Sequence, residues 1–260
     1  MVKALEQSCN VFFYQVGVRL EIDRIARYAK LMGLGSPTGV DLPHEATGLI
    51  PTPAWKLRTQ KAPWYAGETV SVAIGQGQVT VTPLQMARLL AVVANGGRLV
   101  RPRLVRSGRE GAAHDDAPVD LGLKPETLAV VKANLLAVVN NSGTGWRARL
   151  ADIAVCGKTG SAQVVARARL QREKERGGAV VSILPHGWFM AFAPADDARI
   201  ALVVLVEHGG SGGEAAAPVA REILAAFFRR EGTPPTAPVA AHVPERAETT
   251  GGAAGRGAGR

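Results

Sequence analysis

The chain has 260 residues, of which 47% are hydrophobic and 20% charged, and its formal net charge at pH 7 is +9. This length holds one large domain or two small ones, and the hydrophobic share allows a substantial core. Two cysteines are too few for a disulfide framework, and no signal peptide or apolar run of transmembrane length is predicted. The positive charge alone identifies no partner, and no nucleic-acid motif accompanies it, so nucleic-acid binding is not expected.

The first seventy residues predict two helical pieces followed by a proline-rich loop. The residues expected to face the core are Val11, Phe12, Tyr14 and Val18 in the first piece and Ile22, Ile25, Ala26 and Ala29 in the second. Residues 36–68 contain five prolines. That density predicts a packed or functional loop without a regular element of any length.

Three further helices follow from caps and apolar periodicity. Thr82, Pro83 and Gln85 form a capping box before a helix over 84–94, and a second helix is predicted over 124–140. Between them, the segment from Arg98 predicts a short strand. The last helix lies within 212–230, and its residues predicted to face inward are Val219, Ile223, Leu224 and Phe227.

Three strands are predicted in the second half, over Ile153–Val165, Gly187–Ala193 and Ile200–Glu207. The short connection between the last two predicts a hairpin and therefore antiparallel neighbours. Residues 231–260 are rich in Gly, Pro and Ala, which predicts a disordered tail after a domain over 1–230. The fold class expected from these elements is α+β.

The stretch VCGKTGSAQVV, Val155–Val165, contains a Gly-Lys-Thr that has two interpretations. A phosphate-binding loop requires glycine five positions before Gly157, but Asp152 stands there. The lysine of such a loop also opens a helix, whereas a predicted strand follows Lys158. The nucleotide interpretation is therefore rejected. The histidines show no metal-ligand spacing, so neither a metal nor another cofactor is expected.

The other interpretation is a strand of a penicillin-binding site. Enzymes acylated by β-lactams combine Ser-x-x-Lys, Ser-x-Asn and Lys-Thr-Gly motifs. This chain contains Ser8-Cys9-Asn10 and Lys158-Thr159-Gly160. Each tripeptide alone is weak evidence, since an isolated Ser8 suggests a helix N-cap and an isolated lysine on a strand suggests a solvated surface residue. Together they are informative.

The sequence around these motifs resembles the C-terminal part of the transpeptidase domain of class B penicillin-binding proteins, in particular the elongation-type penicillin-binding protein 2 group. The resemblance runs from Leu5 to about Arg230, and its most similar segments are 6–17, 26–56, 71–97, 155–165, 186–194 and 203–224. It implies the penicillin-binding and β-lactamase-like fold, an antiparallel sheet flanked by helices. It also implies acyl transfer, in which a serine attacks D-Ala-D-Ala of a peptidoglycan stem peptide and β-lactams mimic that substrate.

The resemblance implies two catalytic residues in this chain. Ser8 would relay a proton towards the leaving nitrogen, and Lys158 would lower the pKa of the lysine of the Ser-x-x-Lys motif. It further implies substrate binding by Asn10, Thr159, Gly160 and Ser161.

Each of these substrate-binding residues has an implied role. The Asn10 amide would hold a peptide carbonyl, and the hydroxyls of Thr159 and Ser161 would bind the substrate carboxylate. The Ser161 N–H would be an oxyanion donor. Gly160 would leave room for the ligand. The family usually has threonine where Ser161 stands, a change that keeps the hydroxyl.

No serine of the chain is followed by lysine three residues later, so the nucleophilic Ser-x-x-Lys is absent from these 260 residues. The resemblance places that motif several dozen residues before Ser8. We therefore expect a fold that is incomplete at its N-terminus, with poor solubility, and a fragment that is inactive alone. The expected setting of the whole protein is the periplasmic face of the inner membrane, with elongation-complex membrane proteins as partners. The alternative is a non-catalytic binding module that regulates wall assembly.

Overall fold

The computed structural model describes residues 1–105, 117–163 and 184–232. Its helices in these ranges are α1 (Val2–Glu6), α2 (Asn10–Leu31), α3 (Pro53–Gln60), α4 (Ala66–Val72), α5 (Pro83–Ala94), α6 (Pro125–Asn140) and α7 (Gly212–Arg230), with a 3-10 turn over Trp146–Ala148. Its strands there are β1 (Arg98–Leu99), β2 (Val119–Asp120), β3 (Cys156–Ala162), β4 (His186–Ala193) and β5 (Ile200–Val206). The predicted disordered tail lies outside the described residues from 233 onwards, as do the last two residues of the predicted strand over Ile153–Val165.

The central sheet has the order β3-β4-β5, and both pairs are antiparallel. Lys158 pairs with Met190 and Gly160 with Trp188, so β3 runs along one side of β4. The hairpin predicted between β4 and β5 is confirmed. The helices and antiparallel sheets together confirm the α+β class.

Alternating residues of β4 enter two separate hydrophobic clusters. Phe189 and Ala191 are fully buried in the cluster that includes α6 and α7, whereas Phe192 is buried with Leu90 of α5. Because successive side chains of a strand point to opposite faces, the sheet is covered on both sides. The core therefore lies around β4, and β3 and β5 are the two edge strands of the sheet in the described part of the chain.

α7 is present over the predicted residues, but its inward face differs from the prediction. Leu224 is buried as predicted, whereas Val219 and Ile223 are 45% and 43% exposed. Ala216, Ala217 and Ala220 are fully buried beside Leu224, and Phe227 is partly buried against the same cluster. Small side chains let the helix approach the sheet closely, and Val219 and Ile223 lie on its exposed flank.

α2 confirms the prediction of two helical pieces, since Glu21 interrupts it with a φ of 63° and a ψ of 159°. Ile22 and Ala26 are buried in the second piece as predicted. In the first piece Val11 and Val18 are 62% and 57% exposed, so the predicted core-facing position of these two residues is wrong. Apolar periodicity indicates a face that favours burial, but it does not supply the surface that covers it.

The proline-rich stretch contains α3, and α4 begins at its end; the sequence predicted neither helix. α3 begins where the Thr52 hydroxyl accepts a hydrogen bond from the Trp55 N–H at 3.1 Å, and Pro53 occupies the first helical turn. A proline at this position lacks only an N–H that would be unpaired anyway, so it starts a helix rather than breaking one. α5 has the predicted capping box of Thr82 and Gln85.

Candidate active site

The Lys158 side chain joins the two motifs that lie 150 residues apart in the sequence. Its Nζ donates a hydrogen bond to Ser8 Oγ at 2.9 Å and to the Thr159 carbonyl oxygen at 2.8 Å. Lys158 is the third residue of β3, and Ser8 lies in the turn between α1 and α2 with a φ of 52°. The contact brings the two residues predicted to be catalytic together.

The turn that contains Ser8 also shows whether Ser8 is a helix N-cap, the alternative interpretation of this residue. Cys9, not Ser8, occupies the N-cap position of α2, and no side chain caps that helix. The Cys9 N–H donates to the Ala4 carbonyl at 2.8 Å, which ties the turn back onto α1. Ser8 is therefore not an N-cap, and its hydroxyl faces Lys158.

Burial changes the acid–base properties of Lys158. Removal from water disfavours the charged ammonium and lowers the pKa of Lys158 from 10.5 to about 8. The amine is therefore close to half protonated at mildly alkaline pH, and it can exchange a proton with a hydroxyl in contact with it. The solvated surface lysine that an isolated strand residue suggests is not what the structure contains.

Thr159 has a partner that the sequence analysis missed. Its Oγ1 lies 2.7 Å from Thr144 Oγ1, and the Thr144 N–H donates to the Glu6 carbonyl at 3.1 Å. Thr144 thus connects β3 to α1, which precedes Ser8. The signal available in the sequence was the tight Ser-Gly-Thr-Gly turn after α6, where a Cβ on Gly143 would lie 2.4 Å from the Val138 carbonyl oxygen.

The outer edge of β3 is identified by its hydrogen bonds. The Ser161 carbonyl accepts from Gln76 Nε2 at 3.1 Å, and the Gln163 N–H donates to Gln76 Oε1 at 3.2 Å. Backbone groups alternate in direction along an antiparallel pair, so the N–H groups of Thr159 and Ser161 also point away from β4. Ser161 is exposed, and its N–H points outward on the side of β3 away from β4.

The other two predicted substrate residues are Asn10 of α2 and Gly160 of β3. Asn10 is exposed at the first position of α2, two residues after Ser8. A Cβ on Gly160 would lie 3.3 Å from Trp188 Cβ, tight but not blocked by the protein. The roles predicted for both residues stay predictions.

Within the described ranges, no group of three or more His, Cys, Asp or Glu side chains could hold a metal ion. Cys156 is buried in β3, and burial raises the pKa of its thiol to about 12. A thiol protonated at physiological pH is a poor nucleophile, so Cys156 is a core residue. None of the described helices is long and apolar enough to cross a membrane.

Residues 1–225 match the family described as "Penicillin binding protein transpeptidase domain". The chain is 40% identical over 223 residues to the peptidoglycan D,D-transpeptidase MrdA of Acinetobacter baumannii. The aligned segment covers 83% of this chain and 33% of that protein. It is 36% identical over 233 residues to MrdA of Haemophilus influenzae, covering 85% of this chain and 35% of the relative. The chain thus spans about a third of the length of these curated relatives.

Solved structures agree with the sequence relatives. Pseudomonas aeruginosa PBP2, solved in complex with WCK 5153, has a TM-score of 0.76 at 31% identity and covers 91% of this chain and 49% of that one. PBP2 of Helicobacter pylori, solved in complex with MreC, has a TM-score of 0.72 at 28% identity and covers 89% of this chain and 40% of that one. The shared architecture confirms the fold predicted from the resemblance, and the chain belongs to the penicillin-binding protein transpeptidase domain family.

Proposed function

We propose that this chain forms the substrate-side wall of a peptidoglycan D,D-transpeptidase site. The observation that carries the proposal is the 2.9 Å hydrogen bond from Lys158 Nζ to Ser8 Oγ, which unites the Lys-Thr-Gly and Ser-x-Asn motifs. A chance surface contact would not bury the lysine enough to lower its pKa to about 8. A lysine whose pKa is perturbed by burial is typical of a catalytic site.

In the proposed reaction, a serine attacks the carbonyl carbon of the penultimate D-alanine of a stem peptide, and its hydroxyl proton passes to the lysine of the Ser-x-x-Lys motif. The C–N bond to the terminal D-alanine breaks, and the leaving nitrogen takes up a proton. The Ser8 hydroxyl donates that proton and is resupplied through Lys158, with which it shares a hydrogen bond. An amine from a neighbouring strand then takes the acyl group from the serine.

In this proposal the edge of β3 binds the donor peptide, the stem peptide that supplies the acyl group. The outward Ser161 N–H stabilises the oxyanion that forms on the attacked carbonyl, an interaction worth several kcal/mol in comparable sites. The hydroxyls of Thr159 and Ser161 bind the terminal carboxylate, and the Asn10 amide holds a peptide carbonyl. Gly160 leaves the space in front of the strand open.

The nucleophile must come from residues other than those of this chain, because none of its serines begins a Ser-x-x-Lys motif. Stem peptides and β-lactams are the proposed ligands of the complete site. By analogy with the H. pylori PBP2 that was solved with MreC, we propose elongation-complex membrane proteins as partners and the periplasmic face of the inner membrane as the location.

The test is covalent labelling by a fluorescent penicillin of the protein encoded by this sequence together with the coding sequence that adjoins it. We expect wild-type labelling to fall at least a hundredfold in Lys158→Ala and Ser8→Ala, while Lys124→Ala, at the N-cap of α6, labels normally. The 260-residue chain alone should remain unlabelled. Labelling that survives both site substitutions would contradict the proposal.

A second candidate function is a non-catalytic module that regulates wall assembly, and the missing Ser-x-x-Lys motif is the observation that favours it. The adjoining DNA distinguishes the two. An in-frame or frameshifted Ser-x-x-Lys there identifies a transpeptidase, whereas an unrelated sequence favours the module.

A further inference from the structure

The loop between α4 and α5 reaches the catalytic strand through one side chain. The Gln76 carboxamide makes two hydrogen bonds with the outer edge of β3, donating to the Ser161 carbonyl at 3.1 Å and accepting from the Gln163 N–H at 3.2 Å. These partners lie 85 and 87 residues away in the sequence. Neither the motifs nor the proposed chemistry accounts for this contact.

The two bonds have the pattern of a neighbouring strand. In a parallel ladder, one residue donates its N–H to the residue before its partner and accepts from the residue after it. Gln76 does the same around Ala162, with its side-chain amide in place of a backbone amide. On this edge the N–H groups of Thr159 and Ser161 point outward, and the Thr159 carbonyl accepts from Lys158 Nζ. The Ser161 carbonyl and the Gln163 N–H are occupied by Gln76.

The backbone around Gln76 is fixed, while its side chain is the movable part. The Gln76 N–H donates to the Ser71 carbonyl and the Gly75 N–H to the Val72 carbonyl, both at 2.9 Å, which anchors the loop to the end of α4. Gly75 and Gly77 have φ values of 72° and 75°. Rotation of the half-buried Gln76 side chain alone would release the β3 edge.

We propose that the Gln76 carboxamide stands in for the main chain of the donor peptide and leaves the β3 edge when that peptide binds. The inference rests on the proposed transpeptidase function. An extended peptide that adds to a sheet edge uses consecutive backbone groups of that edge. With its reacting carbonyl at the Ser161 N–H, the next group along the edge is the Ser161 carbonyl, the acceptor that Gln76 occupies.

The exchange replaces an amide with an amide. An amide N–H on the acyl side of the donor takes over the bond to the Ser161 carbonyl, so this acceptor still has an amide partner when the ligand covers it. A ligand without that amide cannot replace the bond and gains nothing from the displacement. Gln76 thus makes the site select donors with an amide N–H next to the reacting group.

The first test does not depend on catalysis. It measures the hydrogen bonds at the β3 edge through the hydrogen exchange of single amides in the 260-residue chain. Gln76→Met keeps the length of the side chain and removes both hydrogen bonds. We expect exchange of the Gln163 amide to rise about tenfold in this variant, while the Gly160 amide, which points to β4, is unchanged. Equal exchange of Gln163 in both proteins would overturn the inference.

The second test measures acylation in the longer protein used for penicillin labelling. Benzylpenicillin has an acylamido N–H at C6, and penicillanic acid has only hydrogen atoms in its place. We expect Gln76→Met to raise the acylation rate of the former by about threefold to tenfold and to leave the latter unchanged, since only the former competes for the Ser161 carbonyl. Gln76→Glu, which still accepts from the Gln163 N–H but cannot donate, should show the same gain and keep the Gln163 amide protected.

A fall in both acylation rates would show that Gln76 has only a structural role and would overturn the inference. Two unchanged rates would also overturn it. Failure of the Gln76 inference is distinguishable from failure of the proposed function. Lys158→Ala abolishes labelling if the function is right, whatever Gln76 does. The Gln163 exchange rate is independent of labelling.

Discussion

α7 and α2 are the two longest helices among the described residues, and they differ in how their apolar residues are used. α7 is buried against the sheet through Ala216, Ala217 and Ala220, each fully buried. α2 leaves Val11 and Val18 mostly exposed along its first half. Both helices carry apolar residues at helical spacing, so the pattern alone does not distinguish them.

The difference lies in the surface opposite each helix. α7 contacts β4 and β5, and small residues allow the close approach. α2 packs against α4 through Gly17, where a Cβ would lie 2.3 Å from Ala73 Cβ, but Val11 and Val18 on its outer face remain mostly exposed. Stability should therefore be concentrated in the sheet half, and the substitutions below test that contrast.

The largest effect is expected at the start of α7. A Cβ on Gly212 would lie 2.0 Å from the Trp188 carbonyl oxygen and 2.4 Å from that of Gly160, both backbone atoms that cannot rotate away. We expect Gly212→Ala to lower the free energy of unfolding by about 3 kcal/mol or more, measured by chemical denaturation. Gly67→Ala is the matched control, because its Cβ would meet nothing within 4 Å and its stability should change by less than about 1 kcal/mol. Equal losses would show that α7 is not seated on the sheet.

A cavity beneath α7 should give the next largest loss of stability. Leu224 is fully buried, so Leu224→Ala should lower the free energy of unfolding by about 2–5 kcal/mol. Val219→Ala on the same helix removes a side chain that is 45% exposed and should cost less than about 1 kcal/mol. A larger loss for Val219 than for Leu224 would reverse the orientation of the helix.

The buried Lys158 predicts a smaller, pH-dependent effect. Its pKa is about 8 in the folded chain and near 10.5 in the unfolded chain, so the unfolded state binds more protons between these pH values. The free energy of unfolding therefore rises with pH in this window relative to Lys158→Met, which lacks the titrating group. Because Lys158 is only partly buried, the rise should be on the order of 1 kcal/mol. Parallel pH profiles of the two proteins would argue against a desolvated lysine.

The smallest effect is expected on the exposed face of α2. Val18→Ala should change the free energy of unfolding of the chain by less than about 0.5 kcal/mol, since the side chain is already 57% exposed. Denaturation under the conditions used for Leu224→Ala gives the comparison. A loss above 1 kcal/mol would mean that this face is covered in solution.

The elements with strong local signals were predicted well from sequence. The Thr82 and Gln85 capping box placed the start of α5 within one residue, and the three strands were found with their hairpin, because cap chemistry and β-branched runs act locally. The site pairing of Ser8 with Lys158 required the family resemblance, since no local pattern connects residues so far apart.

The features missed from sequence depend on packing across the fold. Thr144 reaches Thr159 and Gln76 reaches β3 only once the sheet and the loops have assembled. The exposure of Val11 and Val18 was missed for the same reason, because burial depends on the partner surface. Pro53 was misjudged because its position relative to the Thr52 cap, not its identity, decides whether a helix starts.

The most direct test of the account is an NMR titration of the Lys158 side chain in the 260-residue chain, with and without Ser8→Ala. The account predicts a midpoint near pH 8 that moves when the Ser8 hydroxyl is removed, because the two groups share a hydrogen bond. A midpoint near pH 10.5 that Ser8→Ala leaves unchanged would contradict it. That result would show that Lys158 and Ser8 do not share a hydrogen bond, and it would remove the basis for the proposed site.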